Sequence, residues 1–165
     1  MEDAAGLLRA RVVRGVNLAK RDAGDSDAYV VLCLGDQKMK TNVRNNSLNP
    51  DWNEDLTFCV SDPTQPLKLE VYDKDTFTVD DKMGDAELDI QPFMDAIKED
   101  WEGLRDGTII QTVNPSSQNC LASDSRIIWK NDMVTQDIAL RLRNVETGEV
   151  ELQLLWVKIP RALDF

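Results

Sequence analysis

Leu67, Leu69 and Val71 alternate with Lys68, Glu70 and Tyr72, a period of two that fits a strand buried on one face, and runs of this kind recur along the whole chain. They fall at 7–14, 28–34, 38–43, 55–60, 67–72, 85–90, 137–142 and 150–158, each bounded by polar turn residues. In the second run Tyr29, Val31 and Cys33 alternate with Val30, Leu32 and Leu34, so both faces are apolar and the strand is expected at the centre of a sheet. Eight such runs predict an all-β fold, an eight-stranded antiparallel sandwich. At 165 residues and 42% apolar content the chain builds one core, so residues 1–165 are expected to form a single domain.

Residues 91–136 interrupt this rhythm. Pro92 is placed to start a helix, with Phe93, Met94, Ile97 and Trp101 near a helical repeat, and GTIIQTV and SRIIWK are two further strand-like pieces around a polar loop. The stretch reads as an insertion containing a short helix and carried by the same domain. Two roles stand open for it, a partner site or a cover over a sheet edge. In the first case the loop supplies Pro115, Ser116, Ser117, Gln118, Asn119, Leu121, Ser123 and Asp124 as partner-binding residues.

Two aspartate clusters follow strand-like runs: Asp22 and Asp27, then Asp73, Asp75 and Asp81 within VYDKDTFTVDDKMG. Carboxylates gathered at one end of a sheet repel one another unless a hard cation lies between them, and ligation by oxygen alone suits Ca²⁺. An EF-hand is a poor fit, because Phe77 occupies a ligand position and residue 84 is Gly instead of Glu. Five carboxylates carry −5; two Ca²⁺ ions bring the cluster to −1 and a third to +1, so repulsion from an anionic lipid face falls sharply on binding. Phe77 and Val79 lie between the ligands at the crest of the second cluster, positioned either for membrane insertion or to fold back on the loop. Lys38, Lys40 and Arg44 share one strand face if the strand stays regular, and offer either a lipid-headgroup contact or a solvated surface.

A formal charge of −11 argues against nucleic acid as a partner. The absence of histidine removes Ser-His-Asp and Cys-His catalysis, and no glycine-rich nucleotide cradle is present. Metal-dependent phosphoester hydrolysis is the remaining enzymatic alternative to a binding module. Cys33, Cys59 and Cys120 are odd in number and widely spaced, which does not suggest a disulfide framework. No apolar run is long enough to span a bilayer as a helix, and MEDAAGLLRAR lacks the pattern of a secretory leader, so a cytoplasmic protein is expected.

RGVNLAKRDAGDSDAYVVL, KMKTNVRNNSLNPDWNEDLTF and LEVYDKDTFTVDDKMGDAEL together resemble a C2 domain. One strand precedes the first aspartate loop and EVELQLLWVKI would close the fold, as in the type II topology. The insertion on a single C2 unit is similar to that of the plant C2-domain abscisic-acid-related proteins, also described as small GTPase-activating C2 proteins. The resemblance implies two Ca²⁺ ions, or three, held by Asp22, Asp27, Asp73, Asp75 and Asp81 with the carbonyls of Arg21 and Lys74. It further implies phosphoinositide binding at Lys38, Lys40 and Arg44, and peripheral attachment to anionic phospholipid at the plasma membrane, with nuclear residence also allowed. The implied partners are a GTPase, whose hydrolysis of GTP would be stimulated, and abscisic-acid receptors, in hormone, stress or defence signalling. A non-enzymatic membrane adaptor for those receptors is the alternative.

Overall fold

The computed structural model describes residues 6–20 and 26–159. Its strands are β1 (Gly6–Val16), β2 (Ala28–Leu34), β3 (Gln37–Lys40), β4 (Asp51–Phe58), β5 (Leu67–Asp73), β6 (Asp81–Leu88), β7 (Thr108–Val113), β8 (Ser125–Lys130), β9 (Met133–Arg141) and β10 (Glu149–Lys158), with helix α1 (Gln91–Ile97) between β6 and β7. They pair antiparallel in two sheets, ordered β4-β1-β10-β9-β8-β7 and β3-β2-β5-β6. The core lies between them, with Leu8, Ala10 and Val12 of β1, Val30 and Leu32 of β2, and Leu69 and Val71 of β5 all buried in one apolar cluster. β2 is central, as its apolar faces require.

The described residues hold ten strands where eight were expected, because both strand-like pieces of the insertion join the larger sheet as β7 and β8. Ile127 and Trp129 of β8 and Phe93 of α1 are buried in the common core. Trp101 lies beyond α1, and its indole N–H donates to the Ala96 carbonyl at 2.7 Å, which the Glu99 N–H also reaches at 3.2 Å, so the indole adds a second donor at the helix end.

Several boundaries move for local reasons. β3 stops at Lys40 instead of reaching Val43, since the Thr41 hydroxyl accepts from Val30 N–H at 3.0 Å and replaces a ladder contact. β4 begins at Asp51, where Trp52 is buried and its indole N–H reaches the Ala28 carbonyl at 3.2 Å. Gly84 sits inside β6 at a bulge opposite Val71, with φ of 108°. A Cβ there would come within 2.7 Å of Val145 Cγ1.

Candidate metal and membrane site

Strand register assembles the acidic site. In the smaller sheet Ala28 lies opposite Asp73, and Asp73 lies opposite Asp81, so the residue before β2, the end of β5 and the start of β6 meet at one end of the sandwich. Carboxylate oxygens of Asp73, Asp75 and Asp81 all lie within 4.8 Å of one another. Asp73 is buried, Asp75 half-buried and Asp81 exposed, a gradient that leaves one side of the cluster open to solvent.

Asp27 joins the group through the backbone. Its N–H donates to Asp73 Oδ1 at 2.8 Å, its carbonyl accepts from Lys74 N–H at 2.8 Å, and its Oδ1 accepts from Asn46 N–H at 2.9 Å. Arg21 and Asp22 lie outside the described residues. The donors that are described are hard oxygens, densely placed and partly desolvated, a set suited to Ca²⁺ and unsuited to soft metals.

Asp80 holds the second loop in shape, a role that sequence reading missed. Its Oδ1 accepts from Asp75 N–H at 2.9 Å and its Oδ2 from the Tyr29 hydroxyl at 2.6 Å, while Lys74 Nζ stands 3.8 Å away. The hydrogen bonds from Tyr29 and from the Asp75 amide hold the Asp80 carboxyl below the ordinary carboxylate range. Burial, then the bond to Asp80, pushes Tyr29 up to about 12. Tyr29 stacks on Tyr72, ring centroids 5.5 Å apart, across the β2–β5 pair. The adjacent Asp80-Asp81 pair was the available signal; only one of the two could point into the cluster.

Phe77 and Val79, at 95% and 89% exposure, form the crest of the same loop. Side chains this apolar are costly to hydrate and have no packing partner in the core.

Lys38 and Lys40 are exposed on β3, opposite Cys33 and Val31 of β2, and neither enters an ion pair among the described residues. Arg44 departs from them, because the regular strand required to align the three residues ends at Lys40. Its Nε donates to the Asp51 carbonyl at 2.9 Å and its Nη2 to the Trp52 carbonyl at 3.2 Å, with Glu54 at 3.4 Å. Those contacts tie it to the start of β4 and away from Lys38.

The insertion loop is internally braced. Asn119 Oδ1 accepts from Ser116 N–H and Leu121 N–H at 3.0 and 3.2 Å, and Asn114 Nδ2 donates to Asp124 Oδ1 at 2.9 Å. Pro115, Ser116, Ser117, Gln118, Ser123 and Asp124 lie exposed along the loop, with the half-buried Asn119 between them. Leu121, at 3% exposure, instead bridges to Leu140 and packs in the core, so its side chain anchors the loop and presents nothing to a partner.

The C2 domain family profile matches residues 6–104. Protein C2-DOMAIN ABA-RELATED 3 of Arabidopsis thaliana is 57% identical over 160 residues, covering 97% of this chain and 95% of that protein. GTPase activating protein 1 of Oryza sativa subsp. japonica is 54% identical over 155 residues, with 94% and 93% covered. Among solved structures, a C2 domain of plant Extended Synaptotagmin 1 superposes with a TM-score of 0.61 at 25% identity, over 96% of this chain and 98% of that one. The calcium-bound pair of C2 domains from Extended-Synaptotagmin 2 shares the fold with a TM-score of 0.64 at 21% identity, over 94% of this chain and 46% of that one.

Proposed function

We propose, from the premise that this chain belongs to the C2-domain family and within it to the C2-DOMAIN ABA-RELATED group, that it is a calcium-dependent phospholipid-binding signalling module. The observation that carries this reading is the convergence of Asp73, Asp75 and Asp81 beside the exposed Phe77 and Val79. Asp22 and Asp27 complete the carboxylate set, with the carbonyls of Arg21 and Lys74. Bound Ca²⁺ supplies positive charge where lipid phosphates approach. The chain's own residues do the rest: Asp80 and Tyr29 hold the loop, Phe77 and Val79 enter the interface, and Lys38 and Lys40 meet headgroups on the flanking sheet face. Arg44 contributes to that face only through its hold on β4.

Sedimentation with acidic liposomes, in Ca²⁺ or in chelator, tests this. Pelleting in Ca²⁺ alone, lost in the Asp27→Ala Asp75→Ala protein together with heat of Ca²⁺ binding, is the expected result. Equal pelleting under both conditions would exclude it.

Stimulation of a partner GTPase is the second activity we propose, supported by the rice relative's name and its identity over nearly the full chain. Such a protein completes or orders a partner's active site without holding the nucleotide. Single-turnover GTP hydrolysis by candidate GTPases, with and without this protein and Ca²⁺, decides it. The names of the Arabidopsis relatives support a place in abscisic-acid signalling, with receptors of that hormone as partners docking on the 115–124 loop and the plasma membrane or nucleus as the site of action.

A further inference from the structure

Among the described residues the two sheets end in four edge strands, β4 and β7 in the larger sheet, β3 and β6 in the smaller. An edge presents unpaired N–H and C=O groups, and it pairs with another chain unless something blunts it. Three of these edges are blunted. At β6 the Arg143 N–H donates to the Asp85 carbonyl at 2.7 Å and the Asp85 N–H to the Arg143 carbonyl at 3.1 Å. β4 carries Asp51, Glu54 and Asp55, and the Arg44 guanidinium occupies the carbonyls of Asp51 and Trp52. β3 is four residues long and carries Lys38 and Lys40, while the Gln37 amide bonds in both directions to the backbone of Cys59, just past β4.

β7 differs from all three. Its sequence TIIQTV holds no charge and no proline, every residue but Gln111 is β-branched, and Ile109 is 50% exposed. Beyond Thr108, which bonds to Arg105, no residue of the strand has a hydrogen bond outside its ladder with β8 among the described residues. Its one protective device is a bulge at Ile110, which leaves Gln111, Thr112 and Val113 opposite Ile127, Arg126 and Ser125.

The neighbouring face describes the strand that would fit. Ser125, Ile127 and Trp129 of β8 are buried, so Arg126, Ile128 and Lys130 point outward, with Ile109 opposite Ile128 and Thr112 opposite Arg126. An apolar centre therefore lies between two exposed cations, and neither cation enters an ion pair among the described residues. The acids nearby have other partners: Asp137 accepts from Gln153, Asp106 from the Asn131 N–H and Asp124 from Asn114. A strand added beyond β7 would run about 10 Å from β8, within reach of a long cationic side chain. A second copy of this chain fits poorly, since its own β7 would bring the same two cations and each chain carries −11.

We infer that β7 takes up an extended segment of a partner protein as a further strand of the larger sheet, with an aliphatic residue facing Ile109 and Ile128 and Asp or Glu two positions away on either side. Main-chain groups of β7 supply the pairing, and Arg126 and Lys130 select the acidic positions. The inference does not depend on the calcium reading, because Asp73 and Asp81 are carried by β5 and β6 in the other sheet.

The test pans a random heptapeptide phage library on the whole protein in chelator, then titrates the best synthetic peptide into ¹⁵N-labelled protein. The selected sequences are expected to alternate acidic and aliphatic residues. Bound peptide should slow amide exchange at alternate residues between Ile109 and Val113, a mark of strand addition that contact through side chains alone would not leave. Ile109→Lys, at a half-exposed position, should weaken binding at least about tenfold by placing a charge on the edge. Arg126→Gln with Lys130→Gln, both exposed, should weaken it about three- to tenfold. Absence of enrichment, a basic consensus, unchanged exchange along β7, or full affinity in the variants would overturn the inference. Protection of β7 that grows with protein concentration in the absence of peptide would overturn it too, by making this edge an interface between copies.

Discussion

The hydroxyl of Tyr29 donates to Asp80 Oδ2 at 2.6 Å and thereby ties an outer-face aromatic residue of β2 to the loop that carries Asp75. Because Asp80 Oδ1 also receives the Asp75 amide, removing the tyrosine hydroxyl loosens the loop without touching a carboxylate of the cluster. Tyr29→Phe is expected to weaken Ca²⁺ binding about three- to tenfold, the scale of one hydrogen bond to a charged group after solvent exchange. Calorimetric titration measures it, and a lowered melting temperature with undiminished affinity would show the bond to be architectural only.

Phe77, 95% exposed, should contribute membrane retention and not metal affinity. Phe77→Ala is expected to keep its Ca²⁺ titration while liposome retention falls about tenfold, the scale of a partly buried aromatic ring. Raising the salt concentration separates the contributions, since coulombic headgroup contacts weaken and an inserted ring does not. Loss of metal binding in parallel would mean that the ring shapes the loop.

Asp85 gives a pH-dependent stability. Burial opposes its ionisation, but hydrogen bonds from Asn144 and Arg143 and the charges of Lys82 and Arg143 outweigh that cost and hold its carboxyl below the ordinary range. A depressed folded-state value means that the contribution is present above the unfolded-state value and is lost as pH falls through the folded one. Asp85→Asn should therefore destabilise by about 1 kcal/mol at pH 7, since Arg143 and Lys82 are half exposed. The gap from the parent protein should narrow in urea melts at acid pH; a constant gap would assign the loss to packing.

Gly84→Ala tests the bulge that turns the second acidic loop into β6. A side chain at φ of 108°, with its Cβ 2.7 Å from Val145 and 2.9 Å from Leu142 Cβ, combines backbone strain with overlap. A loss of at least about 2 kcal/mol is expected in chemical denaturation. A near-neutral effect would mean that the 142–145 segment yields readily.

Alternation and composition by themselves determined much of this protein. The period of two at Leu67, Leu69 and Val71, the apolar faces of β2 and the strand-like GTIIQTV and SRIIWK are local signals, so the all-β sandwich and its insertion were legible. The oxygen-rich end was legible too, because Asp73, Asp75 and Asp81 lie close along the chain. Only the tertiary structure decided what depends on residues distant in sequence. Arg44 looked aligned with Lys38 and Lys40, yet Thr41 ends the strand and β4 offers carbonyls that capture the guanidinium. Leu121 looked like part of an exposed loop, yet β9 brings Leu140 against it. Tyr29 meets Asp80 across 51 positions. Local pattern says which face of a strand is buried; cross-strand register says which residue lies opposite, and that is set by the packing of the whole sandwich.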